Sequence, residues 1–436
     1  MKLLGQEKLR SLMQVALSHS SADQTEVNIR TGNSALTRFA NSTIHQNMGF
    51  ENYSVGVRAV FGKKIASGSG NDISEQGIRD LVDKVIAIAR HQDENPDFVS
   101  LPEPVERIPQ VESYSQATDD MTAEDRANAV RQIVIESDRI GGTAAGSYNK
   151  NVHEHGVMNS LGVDSYYQGT SARLTCVVTG PDGGFGYAQA HGVDSSHIQP
   201  GAIGAEASAR AYESRNPIDA PPGDYECILL PYAVCDMLYD LRYAGMGAMS
   251  YQEGHSFMCG KMGQKIVSEK VSIWDDGRDP RTIATPFDGE GIAKQHVDIF
   301  KNGVASGVLY GSYTAHREGK KSTGHSGGIN LVMGPGDATI PEMIASTKRG
   351  IMMTRFHYAN ITHLMTAAVS GMTRDGTFLI EDGKIISPVK NLRFNQSIVE
   401  ALANVQMVGK DLVLDDGILA PAIKTSKFTF LSGTAF

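Results

Sequence analysis

A stiff connector near the middle of the chain is the feature that most restricts how this sequence can fold. Residues 215–224 read Arg-Asn-Pro-Ile-Asp-Ala-Pro-Pro-Gly-Asp, so three prolines and a glycine fall within ten positions. Proline fixes the backbone and cannot donate a hydrogen bond, so such a stretch interrupts helices and sheets. With 436 residues, the chain is also long for a single hydrophobic core. We therefore expect two domains, residues 1–215 and residues 216–436.

The segment before the connector mixes helical and strand patterns. Strands are expected at residues 25–30, 35–40, 43–47 and 53–61, and in the last of these apolar and polar positions mostly alternate, as in a half-buried strand. Thr122 with Asp125 has the spacing of a capping box, and Asp72 with Glu75 predicts a second helix start. Short strands joined by tight turns indicate an antiparallel sheet. This domain is therefore predicted to be α+β.

The segment after the connector is richer in strand and turn signals. Asn302-Gly303 and Asp382-Gly383, each preceded by a strand-like run, predict hairpins. Two helices are expected, over residues 232–244 and 341–349, each closed by a glycine as C-cap, Gly245 and Gly350.

Charge and hydropathy exclude several classes of function. The formal net charge is -9 and the Lys and Arg residues are scattered, which argues against nucleic acid as the main ligand. No run approaches the roughly 18 apolar residues that a membrane-spanning helix needs, and residues 1–17 show no signal-peptide pattern. The four cysteines show no CxxC spacing. We expect a cytoplasmic protein without a membrane partner.

Several separated stretches, taken in order, resemble one known family. The C-terminal ones cover residues 371–383 and 388–391. The others are Arg38-Phe39-Ala40-Asn41-Ser42, Gly254-His255-Ser256 with the following residues 260–263, Phe287-Asp288-Gly289-Glu290-Gly291, and Ser322-Thr323-Gly324-His325. In this order and spacing they resemble the TldD/PmbA metallopeptidase (modulator of gyrase) family, on its PmbA/TldE branch. His325 stands where the family has Asn.

The resemblance implies a particular fold and a particular division of labour. The fold is an N-terminal α+β domain with an antiparallel sheet, followed by a mostly antiparallel, barrel- or sandwich-like β domain with a central helix. In the catalytic TldD branch this helix carries HExxxH and holds zinc. The resemblance further implies that a TldD subunit pairs with a PmbA/TldE subunit, and that the pair processes extended peptides in a closed cavity.

This sequence departs from the catalytic branch at the central helix. Counted back from Gly254, the HExxxH positions fall on Tyr239-Asp240-Leu241-Arg242-Tyr243-Ala244, and residues 232–244 contain no histidine. Metal-dependent hydrolysis needs imidazole ligands and a carboxylate beside the metal-bound water. We therefore predict no catalytic residue, no metal ligand and no cofactor in this chain, and we expect the zinc in a TldD-like partner.

Other histidines offer a weaker alternative. His153 and His155 would face the same side of a strand and could share a metal, although a polar strand surface explains them as well. His255 and His325 lie in glycine-rich, family-like stretches, which favours a place beside a groove over metal binding. Cys235 lies on the apolar side of the central helix and is expected in the core.

Three hypotheses for function follow. The first is a non-catalytic subunit of a two-subunit zinc peptidase that pairs with a HExxxH-bearing TldD-like subunit, holds an extended peptide, and forms a homodimer when alone. The second is a stand-alone peptide-binding or scaffold protein of the gyrase-modulator type. The third is an autonomous hydrolase with a metal site built from other histidines. The candidates for the peptide groove are Gly254, His255, Ser256, Thr323, Gly324, His325, Arg374 and Asp375.

Overall fold

The structure is a computed structural model that describes residues 3–104, 107–328 and 330–434. Its α-helices are α1 (Gln6–His19), α2 (Glu75–His91), α3 (Gln116–Asp120), α4 (Ala123–Asp138), α5 (Pro200–Glu213), α6 (Pro231–Tyr243), α7 (Ala248–Gln252), α8 (Ser312–Arg317), α9 (Ile340–Ala345) and α10 (Ile398–Ala403). The strands before the connector are β1 (Gln24–Ala40), β2 (Thr43–Phe61), β3 (Lys64–Gly70), β4 (Thr143–Asn159), β5 (Asp164–Thr179) and β6 (Phe185–Gly192).

The strands after the connector are shorter on average. They are β7 (Gly223–Leu229), β8 (Ile273–Asp275), β9 (Val297–Lys301), β10 (Val304–Ala305), β11 (Leu331–Met333), β12 (Arg349–His363), β13 (Ala368–Glu381), β14 (Lys384–Pro388), β15 (Leu392–Ser397), β16 (Val405–Asp415) and β17 (Ile418–Gly433).

The N-terminal part is a six-stranded antiparallel sheet with helices packed on it. The strand order is β3-β2-β1-β4-β5-β6. Buried side chains of α1 and α2 pack against β1–β3 in one core, and those of α4 and α5 pack against β4–β6 in another. The capping box predicted at Thr122 and Asp125 is present at the start of α4. The predicted α+β class is thus confirmed.

Two expectations for this part were wrong in detail. The four predicted strands between residues 25 and 61 are only two, because pairs such as Gly32↔Asn52 and Asn33↔Glu51 keep the turn-forming residues extended. The hairpin between the two strands turns at Asn41 and Ser42, which have φ of 50° and 57°. The second helix is capped by Ser74 rather than Asp72, whose carboxylate instead accepts a hydrogen bond from the Ser74 amide.

The C-terminal part is an eleven-stranded, mostly antiparallel sheet that contains a closed ring. Within it β17, β15, β13, β12 and β7 are paired in that order, and β7 pairs back to β17. The β12–β7 and β11–β17 pairs are parallel. The long helix α6 packs against β12 and β17. This arrangement confirms the predicted β-rich architecture with a central helix.

The helix predicted over residues 341–349 is also shorter than expected. α9 ends at Ala345 and β12 begins at Arg349, so Gly350 lies in a strand and is not a C-cap. Gly350 pairs with Glu226 of β7, and a Cβ atom there would lie 2.6 Å from the Glu226 carbonyl oxygen. The glycine is therefore explained by the close approach of two strands, a long-range contact that local sequence does not reveal.

A loop of the C-terminal part is inserted against the N-terminal sheet. The Phe287 ring packs against those of His155 and Tyr167, with centroid distances of 5.3 and 5.1 Å. Nearby, Arg58 of β2 forms hydrogen bonds with both Glu26 of β1 (2.6 Å) and Glu290 of this loop (3.0 Å). We call Glu26, Arg58 and Glu290 the carboxylate clamp. Among the described residues, no helix is long and apolar enough to cross a membrane.

Candidate functional site at the central helix

Helix α6 forms because its sequence supplies a start, an apolar surface and a stop. Pro231 occupies its first turn, where the missing N–H costs nothing. Most of its side chains are buried against the C-terminal sheet, including Leu238 and Leu241, which have no exposed surface. The chain leaves the helix at Gly245, whose φ of 133° is favourable only for glycine. α6 is thus held rigidly in the core of the C-terminal part.

One stripe of α6 remains open. Asp236, Tyr239, Asp240 and Tyr243 occupy positions i, i+3, i+4 and i+7, so they share one face of the helix. Tyr239 is 39% exposed and Tyr243 is 56% exposed. Their rings are 5.1 Å apart between centroids, and the two hydroxyl oxygens are 3.4 Å apart. We call these four side chains the open face of α6.

Both carboxylates of the open face are poorly solvated. Asp236 accepts a hydrogen bond from the Phe356 amide of β12 at 2.8 Å. Burial raises the pKa of Asp236 to about 7, and Asp415 adds to the effect, while the Phe356 hydrogen bond and Arg355 oppose it. Burial also raises the pKa of Asp240 to about 6. Its Oδ2 atom is buried and has no hydrogen-bond partner.

Paired arginines line the cleft between the two sheets beside α6. Arg173 of β5 contacts Asp415 of β16 at 2.5 Å, and Arg355 of β12 contacts Asp375 of β13 at 2.5 Å. The Arg355 guanidinium also lies 4.4 Å from the centre of the Tyr187 ring of β6. The charges of Arg173 and Arg355 are therefore already balanced by carboxylates other than those of the open face.

The outer edges of β6 and β12, both near this cleft, differ in whether their backbone groups are available to pair with an added strand. On β6, side chains occupy the outward backbone groups: Ser214 bonds Phe185, Arg210 bonds the Tyr187 carbonyl, and Tyr232 bonds Gln189, a set that blocks strand addition. On β12, the pairing with β7 ends at Met353. From Arg355 onward, β13 is the only strand paired with β12 in the described part of the chain.

The two glycine-rich stretches that contain predicted groove residues are 254–256 and 322–325. They lie on either side of the short segment 309–310. The Leu309 amide bonds the Met246 carbonyl near the first stretch, and the Tyr310 amide bonds the Thr323 hydroxyl in the second. Gly254 has a φ of 76° with open space around it, and His255 is exposed, 3.8 Å from a Glu253 carboxylate oxygen. Whether these residues line a peptide groove stays a prediction.

Two of these candidates face inward. Ser256 is buried and donates to the Gly245 carbonyl at 2.6 Å. The His325 ring is 1% exposed and lies 3.0 Å from Asp275 and 2.9 Å from the Thr323 hydroxyl. Gly324 is packed so closely that a Cβ atom would lie 2.3 Å from the Ala293 carbonyl oxygen. The buried side chains of Ser256 and His325 therefore make their contacts within the protein.

The last two candidates, Arg374 and Asp375, lie near the inter-sheet cleft. Asp375 has a φ of 55° and is 1% exposed at its side chain, held by Arg355 and 3.6 Å from Arg374. Together with Phe185 and Pro217 it lines a small cavity between the two sheets. The open face of α6 contains no predicted groove residue. The spacing of two aspartates and two tyrosines along one helix face was the signal that could have indicated it.

The donor atoms around α6 do not suit the zinc of a HExxxH helix. The Cys235 thiol faces the core, 3.6 Å from the Ile418 carbonyl, and burial raises its pKa well above the ordinary value. His153 and His155 both contact the Tyr167 ring on the N-terminal sheet, and burial lowers the pKa of both. Within residues 3–104, 107–328 and 330–434, no three His, Cys, Asp or Glu side chains are placed to share a metal ion.

Comparison with solved structures defines the class of fold. The chain superposes on TldE from Thermococcus kodakarensis with a TM-score of 0.87 at 18% sequence identity, covering 97% of this chain and 99% of that one. A candidate DNA gyrase modulator from Thermotoga maritima gives the same TM-score at 19% identity, covering 98% and 100%. The ring, the central helix and the six-stranded sheet therefore form a TldE-type fold.

Sequence comparison then identifies the family. Three family models match, described as PmbA/TldA metallopeptidase domain 1 (residues 25–89), central domain (68–215) and C-terminal domain (222–432). The chain belongs to the PmbA/TldD metallopeptidase family, as the resemblance indicated. It is 25% identical over 424 residues to metalloprotease PmbA of Escherichia coli O157:H7, covering 93% of this chain and 91% of that protein. It is 24% identical over 395 residues to a metalloprotease TldD homologue of Haemophilus influenzae, covering 84% and 80%.

Proposed function

We propose that this chain is a PmbA/TldE-type subunit that does not itself catalyse hydrolysis. It pairs with a TldD-like subunit that carries HExxxH and zinc, supplies part of a peptide-processing cavity, and works in the cytoplasm. In this proposal the chain divides at residue 215 into two domains, and α6 faces the cavity.

The observation that carries the proposal is the open face of α6. At the two positions where a catalytic relative needs imidazoles, this helix has Tyr239 and Ala244, and Asp240 stands at the position of the motif's glutamate. Phenols and a carboxylate can bind a substrate, yet they cannot reproduce a zinc site of two imidazoles and a downstream thiolate. The helix is rigid and partly open, which suits binding of a ligand at a fixed position.

The mode of peptide binding we propose is strand addition along β12. The Phe356 amide of this strand already donates to Asp236 of α6, and beyond Phe356 only β13 pairs with β12 among the described strands, which leaves the other edge open there. An extended peptide added to a sheet edge is held mainly by backbone hydrogen bonds, so it needs no fixed sequence. The blocked edge of β6 would steer the peptide to β12.

Reconstitution tests this proposal. The purified chain is expected to hold no stoichiometric zinc and to leave an unfolded protein such as casein intact. Mixed with a HExxxH-bearing homologue, it is expected to co-elute as a complex with one zinc per pair, and hydrolysis is expected only from the mixture. A partner with both motif histidines replaced by alanine is the matched control. One zinc per chain in the purified protein, with an activity that chelators abolish, would overturn the proposal.

A further inference from the structure

The face of the N-terminal sheet that points away from α1 and α2 contains a polar cavity. Side chains alternate along a strand, and Val27 and Ile29 of β1 pack against these helices, so Arg30 lies on the opposite face. The cavity has a volume of about 570 Å³, which is within the usual range for a small-ligand site. It is lined by twelve residues of β1, β2, β4 and β5, and most of them carry amide or hydroxyl side chains, including Ser34, Asn52, Ser54, Asn151 and Ser171. We call it the sheet cavity.

His153 lines the sheet cavity between two glycines. Gly32 of β1 and Gly169 of β5 are its partners in the neighbouring strands. A Cβ atom at Gly169 would lie 2.8 Å from the His153 Cε1 atom, so a glycine there leaves room for the ring. The His153 Nε2 atom lies 3.3 Å from the Tyr167 hydroxyl oxygen. Burial and the charge of Arg30 lower the pKa of His153 to about 4, so the ring is neutral at pH 7 and adds no second positive charge.

Arg30 is the only charged residue in the lining of the sheet cavity. In the described part of the chain, no carboxylate forms an ion pair with this exposed guanidinium. Its charge lowers the pKa of His153, His155 and Tyr167, and no carboxylate acts on any of these three groups. In a chain with a formal net charge of -9, this cavity therefore attracts anions locally.

The charges in the sheet cavity favour a carboxylate over a phosphate as the ligand. A guanidinium can donate two parallel hydrogen bonds to a carboxylate, and its single charge balances the single charge of that group. A phosphate carries about two negative charges near pH 7, and the lining offers no cation for the second. The amide of Asn151 and the hydroxyl of Ser171, which are paired across β4 and β5, can donate further hydrogen bonds.

We propose that the sheet cavity binds a carboxylate group of a peptide, with Arg30 as its counter-ion, so that the chain prefers peptides with a free C-terminus or an acidic side chain. This inference rests on the proposed peptide binding. The C-terminal carboxylate and the carboxylates of Asp and Glu have the same chemistry, and the peptides used in the test separate these two sources.

Isothermal titration calorimetry on the full chain tests the preference. The probes are N-acetylated ten-residue Ala/Ser peptides with a free C-terminal carboxylate, with a C-terminal amide, or with a C-terminal amide and a central Glu. We expect the free-acid peptide to bind at least about tenfold more tightly than the uncharged amide peptide, because a charge-assisted hydrogen bond is lost in the amide. Comparable binding of the Glu peptide would show that a side-chain carboxylate is also accepted. Arg30→Gln should remove the difference between the free acid and the amide and leave binding of the amide unaffected.

Two further variants keep the test decisive. Asn151→Ala changes an exposed side chain, so the fold should tolerate it, and it should weaken binding of the free-acid peptide a few-fold. Arg131→Gln, at an exposed position of α4, is the matched control and should change nothing.

Three outcomes would contradict the proposal in different ways. Equal binding of the free-acid and amide peptides, unaltered by Arg30→Gln, would overturn the carboxylate site and leave peptide binding intact. Displacement of the free-acid peptide by inorganic phosphate but not by acetate, at equal ionic strength, would refute the assignment to a carboxylate. Failure of all three peptides to bind would refute the proposed peptide binding and this site with it.

Discussion

The carboxylate clamp makes the stability of the fold depend on pH in a direction opposite to that of most surface ion pairs. Two carboxylates, Glu26 and Glu290, share the single guanidinium of Arg58, and Glu26 is only 5% exposed. The pKa of Glu26 is raised to about 7, mainly by burial and also by the charges of Glu290 and Asp288, against the lowering effect of Arg58. We therefore expect the substitution Glu26→Gln to stabilise the protein at alkaline pH.

The magnitude follows from the difference in pKa between the folded and unfolded states. An increase from the ordinary 4.5 to about 7 corresponds to roughly 3 kcal/mol. Because the folded-state pKa is the higher one, folding takes up a proton, and the folded form loses stability as the pH rises from about 4.5 to about 7. Glutamine avoids this loss but gives up a charge-assisted bond to Arg58. A net gain of about 1–3 kcal/mol is expected at pH 8, and a change below about 1 kcal/mol at pH 5.

Urea unfolding followed by circular dichroism, at pH 5 and pH 8, measures both values. Glu94→Gln, at an exposed loop position, is the control and should alter neither. If Glu26→Gln destabilises the protein equally at both pH values, Glu26 is ionised in the clamp across this range and the reasoning is refuted.

Three further predictions concern the packing and assembly of the chain. Gly324→Ala should cost more than about 3 kcal/mol in unfolding free energy, since φ is 73° and a Cβ atom would lie 2.3 Å from the Ala293 carbonyl oxygen. Gly319→Ala, at a position with similar φ and open space, should cost about 1 kcal/mol, and equal unfolding midpoints for the two variants would contradict this account. A thiol reagent should modify Cys259 first in the native protein, because burial raises the pKa of Cys176 to about 12 and those of Cys227 and Cys235 well above 9.0. Mass spectrometry after brief labelling identifies the modified cysteine, and early labelling of Cys235 would be inconsistent with its buried position. Without a partner subunit the chain should form a dimer that buries more than about 2,000 Å²; light scattering that gives a monomer mass at all concentrations would rule this out.

Local patterns in the sequence predicted the elements whose signals are local. The capping box at Thr122 and the glycine stop at Gly245 appear as expected because each depends on residues within one turn. The continuous strands β1 and β2 were not predicted, because residues such as Gly32 and Asn33 favour turns on their own. They are extended only because strands distant in the sequence pair with them, as His153 of β4 pairs with Gly32.

The candidate site at α6 could likewise be predicted from the sequence only where the signal is local. The absence of histidine from α6 could be read directly from the sequence, since it depends only on which residues the helix contains. The inward position of His325 could not, because it depends on Asp275, fifty residues earlier, and on a fold that buries both. The open face of α6 was visible as a spacing, but its importance depends on which side of the helix the sheets leave uncovered.

The closed ring sets an order of events during synthesis. Gly223 of β7 pairs with Phe430 of β17, so the ring joins one of the first strands after the connector to one of the last in the chain. A ribosome releases residues one after another, and a strand cannot pair with a segment not yet made. The N-terminal sheet, whose strands all precede the connector, can be complete while β7 still waits for its neighbour. During that interval α6 would lie on an open sheet, and a nascent chain stalled before β17 would expose unpaired strand edges to chaperones and to other copies of itself.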